Sequence, residues 1–188
     1  MKKTKIIGVL LSVLLMAVTS EHSFASPAQV IIIRHAEKPP TGNDLSAQGY
    51  QHAQELVPYF ESNSDVTQYG TPVAIYAMAP GGDDPANRAI ETVTPLANAL
   101  SLQVLSPFTR LEFAPVVNAI MTNPAYDGKM VLVCWEHKAI PGLAAQFGVS
   151  PTPSKWNGSD FTTVFRIDFT SEGKVSNFTT FSQQLSAL

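Results

Sequence analysis

The 188-residue sequence predicts an α/β fold: three layers, α/β/α, around a mostly parallel sheet, with a C-terminal β-hairpin. Three observations lead there. Continuous apolar runs at 30–33 (VIII), 73–78 (VAIYAM) and 130–135 (MVLVCW) lack the alternation of a sheet with one wet face. They read as strands buried on both faces. Stretches with apolar residues at helical spacing separate them, and strands alternating with helices imply layers of helix on both sides of a sheet. The tail alone alternates around a glycine-containing turn, the pattern of a hairpin at a sheet edge.

Each element has its own signal. After the first strand, Ser46 can cap a helix whose Ala53, Leu56, Val57 and Phe60 fall at i, i+3, i+4, i+7. His52 falls on the polar face of that helix and reads as structural. The second strand runs into a Gly/Asp/Pro loop at 80–85, then into a helix with Ala86, Ala89, Ile90, Val93, Ala97 and Leu100 on one face. Pro95 should kink it. Leu102 to Leu105 can form a short strand. Phe113, Val116, Val117, Ile120 and Met121 make the next helical stripe, ended by NPAYDG. The third long strand follows, and Ile140, Leu143, Ala144 and Phe147 mark the helix after it. FTTVFRIDF and VSNFTTF are the two arms of the hairpin.

Residues 1–25 stand apart. Lys2, Lys3 and Lys5 precede an apolar run from Ile6 to Val18, and Ser23-Phe24-Ala25 closes it. This is the pattern of a secretory signal peptide, too short to span a bilayer comfortably. Cleavage after Ala25 is expected, giving a periplasmic or secreted protein without stable membrane insertion and a single domain over 26–188. That domain keeps nine Lys and Arg against fourteen Asp and Glu, a formal charge of −5. An acidic chain without a basic stripe argues against nucleic acid as a partner. Cys134 is the single cysteine, so no intrachain disulfide is possible. With hydrophobic residues at 45% and charged residues at 14%, a filled core is available to supply the stability instead.

In open α/β sheets ligands gather at the carboxyl ends of strands. Arg34 and His35 follow the first strand directly, Glu136 and His137 follow the third, and Arg88 opens the helix beyond the second. Groups with affinity for an anion therefore converge on one edge of the predicted sheet. Two of the three histidines outside the leader occupy these strand ends. Glu37 and Lys38 read as loop charges. In a regular strand Glu136 would point away from His137.

Four segments in order, IIIRHAEKP, LSAQGYQHAQEL, NRAIETVTPLA and MVLVCWEHKAIPGLA, resemble the histidine phosphatase superfamily, the phosphoglycerate mutase-like branch. The resemblance spans residues 29 to about 147 and implies the phosphoglycerate mutase-like fold. Ala36 stands where a glycine is commoner in that family. The resemblance implies that His35 attacks phosphorus through an imidazole nitrogen, forming a phosphohistidine that water hydrolyses. Arg34, Arg88 and His137 would bind the phosphoryl oxygens, with no cofactor and no metal. Planar guanidinium forks suit that task. The proton donor to the leaving group is open: Glu112 ranks first, Glu136 second, Asp83 or Asp84 third. A phosphate monoester hydrolase acting on a phosphorylated small molecule, glycan or protein is the expected activity. The alternatives are a phosphomutase-type phosphotransferase and a non-catalytic member that binds a phosphorylated ligand.

Overall fold

The computed structural model describes residues 26–153 and 155–185. The signal-peptide expectation, on residues 1–25, lies outside the described residues. The three apolar runs form strands β1 (Gln29–Arg34), β2 (Ala74–Ala77) and β4 (Met130–Trp135), buried along their whole length. Val30, Ile31, Ile32 and Ile33 in β1 are all 0% exposed. Each such side chain contributes about 1.5–3 kcal/mol relative to exposure, an upper estimate because unfolded chains already bury some surface. A strand with two dry faces needs helices over both, and the connections supply them.

The strands lie in the order β3-β2-β4-β1-β5-β6, with β3 at Val104–Leu105, β5 at Thr163–Phe169 and β6 at Val175–Ser182. β1, β2, β3 and β4 run parallel; β5 runs antiparallel to β1, and β6 antiparallel to β5. The C-terminal hairpin is therefore joined to the centre of the sheet through β1, and of its two strands β6 lies at the edge. Its half-exposed residues mark that position. Polar residues in the ladder find partners: Gln29 Nε2 donates to Asp168 Oδ1 at 2.8 Å across the β1–β5 pair. Such pairing pins the register.

From β1 the chain passes through helix α1 (Ala47–Ser62) to β2 and through α2 (Arg88–Ala99) to β3, stepping outward each time. Helix α3 (Phe113–Met121) then carries it back to β4, which inserts between β2 and β1. Right-handed crossovers place α1 and α2 on one face and, with the direction reversed, α3 on the other. α1 packs on α2, and α3 packs on α4 (Ile140–Gln146), completing the three layers. Ser46 caps α1 as expected, accepting from Gly49 N at 3.1 Å. α2 starts two residues later than its apolar pattern suggests, leaving Ala86 in the preceding loop, and continues through Pro95 to Ala99.

The decisive feature is at the centre. β1 and β4 are neighbours, yet the helices that follow them cover opposite faces. Their carboxyl ends consequently part around a crevice, the topological switch point where α/β sheets bind ligands.

Candidate active site

β1 and β4 end level with each other. Arg34 pairs with Trp135, and His35 N donates to Trp135 O at 3.1 Å. His35 is the first residue past the ladder and is 4% exposed. Its Nδ1 lies 2.7 Å from Ala36 O. A carbonyl only accepts, so Nδ1 carries the proton and Nε2 keeps its lone pair. Burial, and then the positive charge of Arg34, Arg88 and His137, push the imidazole pKa down to about 4, against the pull of the Ala36 carbonyl. His35 is thus neutral near pH 7, its nucleophilic nitrogen fixed.

Arg34 is 1% exposed. Nη1 donates to Gly158 O at 2.9 Å and to Asp160 O at 2.8 Å, and the guanidinium carbon stands 3.7 Å from the Phe161 ring centroid. Burial lowers its pKa to about 10, which leaves it fully charged. The 156–161 segment is shaped for this task. Trp156 Nε1 donates to Asp160 O, and the Asp160 carboxylate caps Thr162 and Thr163 at the start of β5. Arg88 opens α2, with Nη2 donating to Gly42 O at 2.6 Å. The Nε–H groups of Arg34 and Arg88 are buried without a partner among the described residues. Buried donors of that kind are costly unless a ligand accepts from them.

His137 follows the end of β4, with its side chain 15% exposed. Nδ1 lies 2.6 Å from Glu136 Oε1, without the alignment of a hydrogen bond. Burial and Arg34 lower its pKa, while Glu136 raises it; the net direction is down. Glu136 does not point away from His137. The strand stops at Trp135, and past it the chain turns: Lys138 N donates to Glu136 Oε2 at 3.0 Å, and Ala139 N to Glu136 O at 3.0 Å. Strand alternation no longer applies there.

Arg34, Arg88 and His137 all lie within electrostatic reach of His35, and Arg34 within reach of Arg88 and His137 as well. Of the four carboxylates ranked as proton donors, Glu136 is buried beside His137, and Glu112, Asp83 and Asp84 lie on the surrounding loops. Glu112 is exposed on the turn before α3, where Oε2 accepts from Thr109 N at 2.7 Å and Thr109 Oγ1 at 2.8 Å. Those two bonds hold its carboxyl below the usual range. Asp83 is paired with Arg110, and Asp84 Oδ1 accepts from Ala86 N at 3.2 Å. Arg110, whose Nη1 lies 3.9 Å from Glu136, ties the 80–85 loop to the His137 side. No local pattern in the sequence marked it.

Behind His35 the sequence reading needs correcting. Glu37 is not a free loop charge and His52 is not on a wet face. His52 is 1% exposed, with Nδ1 at 2.9 Å from Glu37 Oε2 and Nε2 at 2.8 Å from the Gln183 side-chain amide. Burial alone would raise the Glu37 pKa; the hydrogen bond and charge of His52 bring it below the ordinary value. Glu37 O also accepts from Ser46 N at 2.9 Å. Ala36 N donates to Thr92 Oγ1 of α2 at 2.8 Å. The segment carrying His35 is thereby clamped from both α1 and α2.

No known protein family and no curated protein matches the sequence. Solved structures do. The protein histidine phosphatase SixA, solved with tungstate, matches with TM-score 0.60 at 15% identity, covering 82% of this chain and 97% of that one. A mycobacterial glucosyl-3-phosphoglycerate phosphatase matches with TM-score 0.56 at 14% identity, covering 85% and 100%. Phosphoglycerate mutase from Plasmodium falciparum gives 0.54 at 16% identity, covering 85% and 93%. The fold is that of the phosphoglycerate mutase-like histidine phosphatases.

Proposed function

We propose that the chain is a phosphatase that hydrolyses phosphate monoesters through a phosphohistidine on His35. One observation carries this reading: a buried, neutral histidine with its tautomer set by Ala36 O, beside Arg34, Arg88 and His137. Nε2 of His35 attacks phosphorus, and the bond from phosphorus to the ester oxygen breaks with its electron pair. Arg34 and Arg88 hold the phosphoryl oxygens through Nε–H donors that have no partner among the described residues. The incoming negative charge raises the proton affinity of His137, which then donates to the transferring group while Glu136 balances its charge. Water attacks the phosphohistidine, releasing inorganic phosphate and restoring the imidazole.

Glu112 is proposed as donor to the leaving oxygen. For that it must release Thr109 and take up a proton, so its contribution falls on poor leaving groups. The signal-like leader supports action outside the cytoplasm, on a phosphorylated small molecule, glycan or protein.

The test is hydrolysis of a chromogenic phosphomonoester by the wild type and by His35→Ala, with acid-labile, base-stable phosphoprotein trapped on quenching. Turnover and labelling are expected in the wild type and absent from the variant. A wild type that neither turns over nor labels across a broad ester panel removes the enzyme reading and leaves ligand binding.

A further inference from the structure

Thr92, in the second turn of α2, is 0% exposed. Its hydroxyl has one proton to give and two lone pairs to offer. The proton goes to Arg88 O, one turn back along the helix, at 2.7 Å. A lone pair takes the Ala36 N–H at 2.8 Å. The Cys134 thiol lies close enough to the same oxygen to interact with it, and burial pushes the thiol pKa far up, so it stays a neutral S–H. These three partners come from the three elements that supply the site. Ala36 follows His35, Arg88 opens α2, and Cys134, near the end of β4, precedes His137 by three residues.

A helical threonine commonly returns its hydroxyl to the carbonyl one turn back with no wider consequence. Thr94 shows that case: Oγ1 donates to Ile90 O at 2.7 Å and has no other partner among the described residues. Thr92 differs because its oxygen also accepts from outside the helix. His35 N still bonds Trp135 O of β4, whereas Ala36 N, one residue further on, has left the ladder and bonds Thr92. Without the hydroxyl that amide is a buried donor with nothing to meet it, a costly state that the chain relieves by moving. The residue that moves also carries the carbonyl setting the His35 tautomer. At the other end of the tie, Asn87 makes no side-chain cap on α2, so Thr92 is the side chain that anchors the Arg88 backbone.

We propose that Thr92 is a positioning residue for phosphoryl transfer: its one hydroxyl fixes the backbone of His35 and Ala36 against that of Arg88, and so sets the nucleophile against the arginine that holds the phosphoryl group. Thr92 touches no substrate and acts through Ala36 and Arg88. This rests on the phosphatase reading above and deepens it.

Three variants test the tie. Thr92→Val keeps the shape without the hydroxyl, Thr92→Ser keeps the hydroxyl without the methyl, and Thr94→Val removes a hydroxyl that bonds only within the helix. The readouts are kcat/KM on a chromogenic phosphomonoester and NMR titration of the His35 imidazole, its signal identified by its loss in His35→Ala. In Thr92→Val, kcat/KM is expected to fall about tenfold to a hundredfold, the larger figure being the cost of a misplacement of about 1 Å. The His35 titration moves up from about 4, because a loosened segment admits water and burial is the main cause of the low value. Thr92→Ser and Thr94→Val keep the wild-type titration, and rates within about threefold, although serine gives up a core methyl and some stability. Thr92→Ala also lacks the hydroxyl and gives the same reading should the valine variant not fold.

A rate and a titration unmoved in Thr92→Val, with turnover by the wild type, overturn the positioning role and retain the phosphatase. Equal losses in Thr92→Val and Thr92→Ser overturn it as well, since the hydroxyl is then not what matters. A titration that moves in Thr92→Val and returns in Thr92→Ser, in a protein without turnover, retains the tie and removes the phosphatase.

Discussion

His35 and His137 are both imidazoles with lowered proton affinity, and their opposite duties set a pH window. His35 must be unprotonated to attack, so kcat/KM rises with pH through about 4. His137 must carry a proton to donate charge, and in the free protein it loses that proton below its ordinary 6.5. A bell-shaped kcat/KM profile with an acidic optimum follows. Glu136→Gln removes the neighbouring charge that raises His137, so the descending limb moves to lower pH; an unmoved limb would separate Glu136 from His137. For Glu112→Gln the loss in kcat/KM should grow with the pKa of the leaving group, reaching about a hundredfold for alkyl esters, the low end for general acids. A uniform loss across leaving groups leaves Glu112 as the closing residue of the Thr109 turn.

At the scale of elements, the junction of β1 with α1 explains why the nucleophile stays put. Gly49, in the first turn of α1, faces Glu37 O so closely that a Cβ would fall inside contact distance of that backbone oxygen. Gly49→Ala must push α1 from the loop carrying Glu37, and overpacking of this kind costs about 1–3 kcal/mol. Chemical denaturation should show that loss, with kcat reduced as well because His35 is two residues from Glu37. A stable, fully active variant would mean the loop is not a clamp. His52 is the second half of the same device. The helical pattern located α1 and its Ser46 cap without error, because both depend on residues a turn apart. The burial of His52 escaped that pattern, since its partners come from residue 37 and from residue 183 beyond the last strand.

Across the whole molecule, the site depends on the C-terminal segment folding back over β1. Phe161, which precedes β5, lies under the Arg34 guanidinium and within 6.1 Å of the His35 ring. Because β5 pairs with β1 along five residues, the 156–161 loop is delivered to the carboxyl end of β1. Phe161→Ala removes a desolvated cation–π contact of about 1–2 kcal/mol, so KM is expected to rise about five- to thirtyfold with stability reduced by a similar free energy. An unchanged KM would confine Phe161 to packing. The amino-acid sequence by itself determined the order of strands and helices, the burial of the three central strands and the placing of Arg34, His35, Arg88 and His137 at strand ends or helix starts. Those properties arise from side-chain periodicity over a few residues. The tertiary structure alone decided which charges are engaged and which stand free. Glu37 and Lys38 are adjacent in one loop, yet the first is hydrogen-bonded to His52, while the ammonium of the second has no hydrogen-bond or carboxylate partner among the described residues. The pairing partner of a polar group comes from a distant part of the chain, and local periodicity holds no information about it.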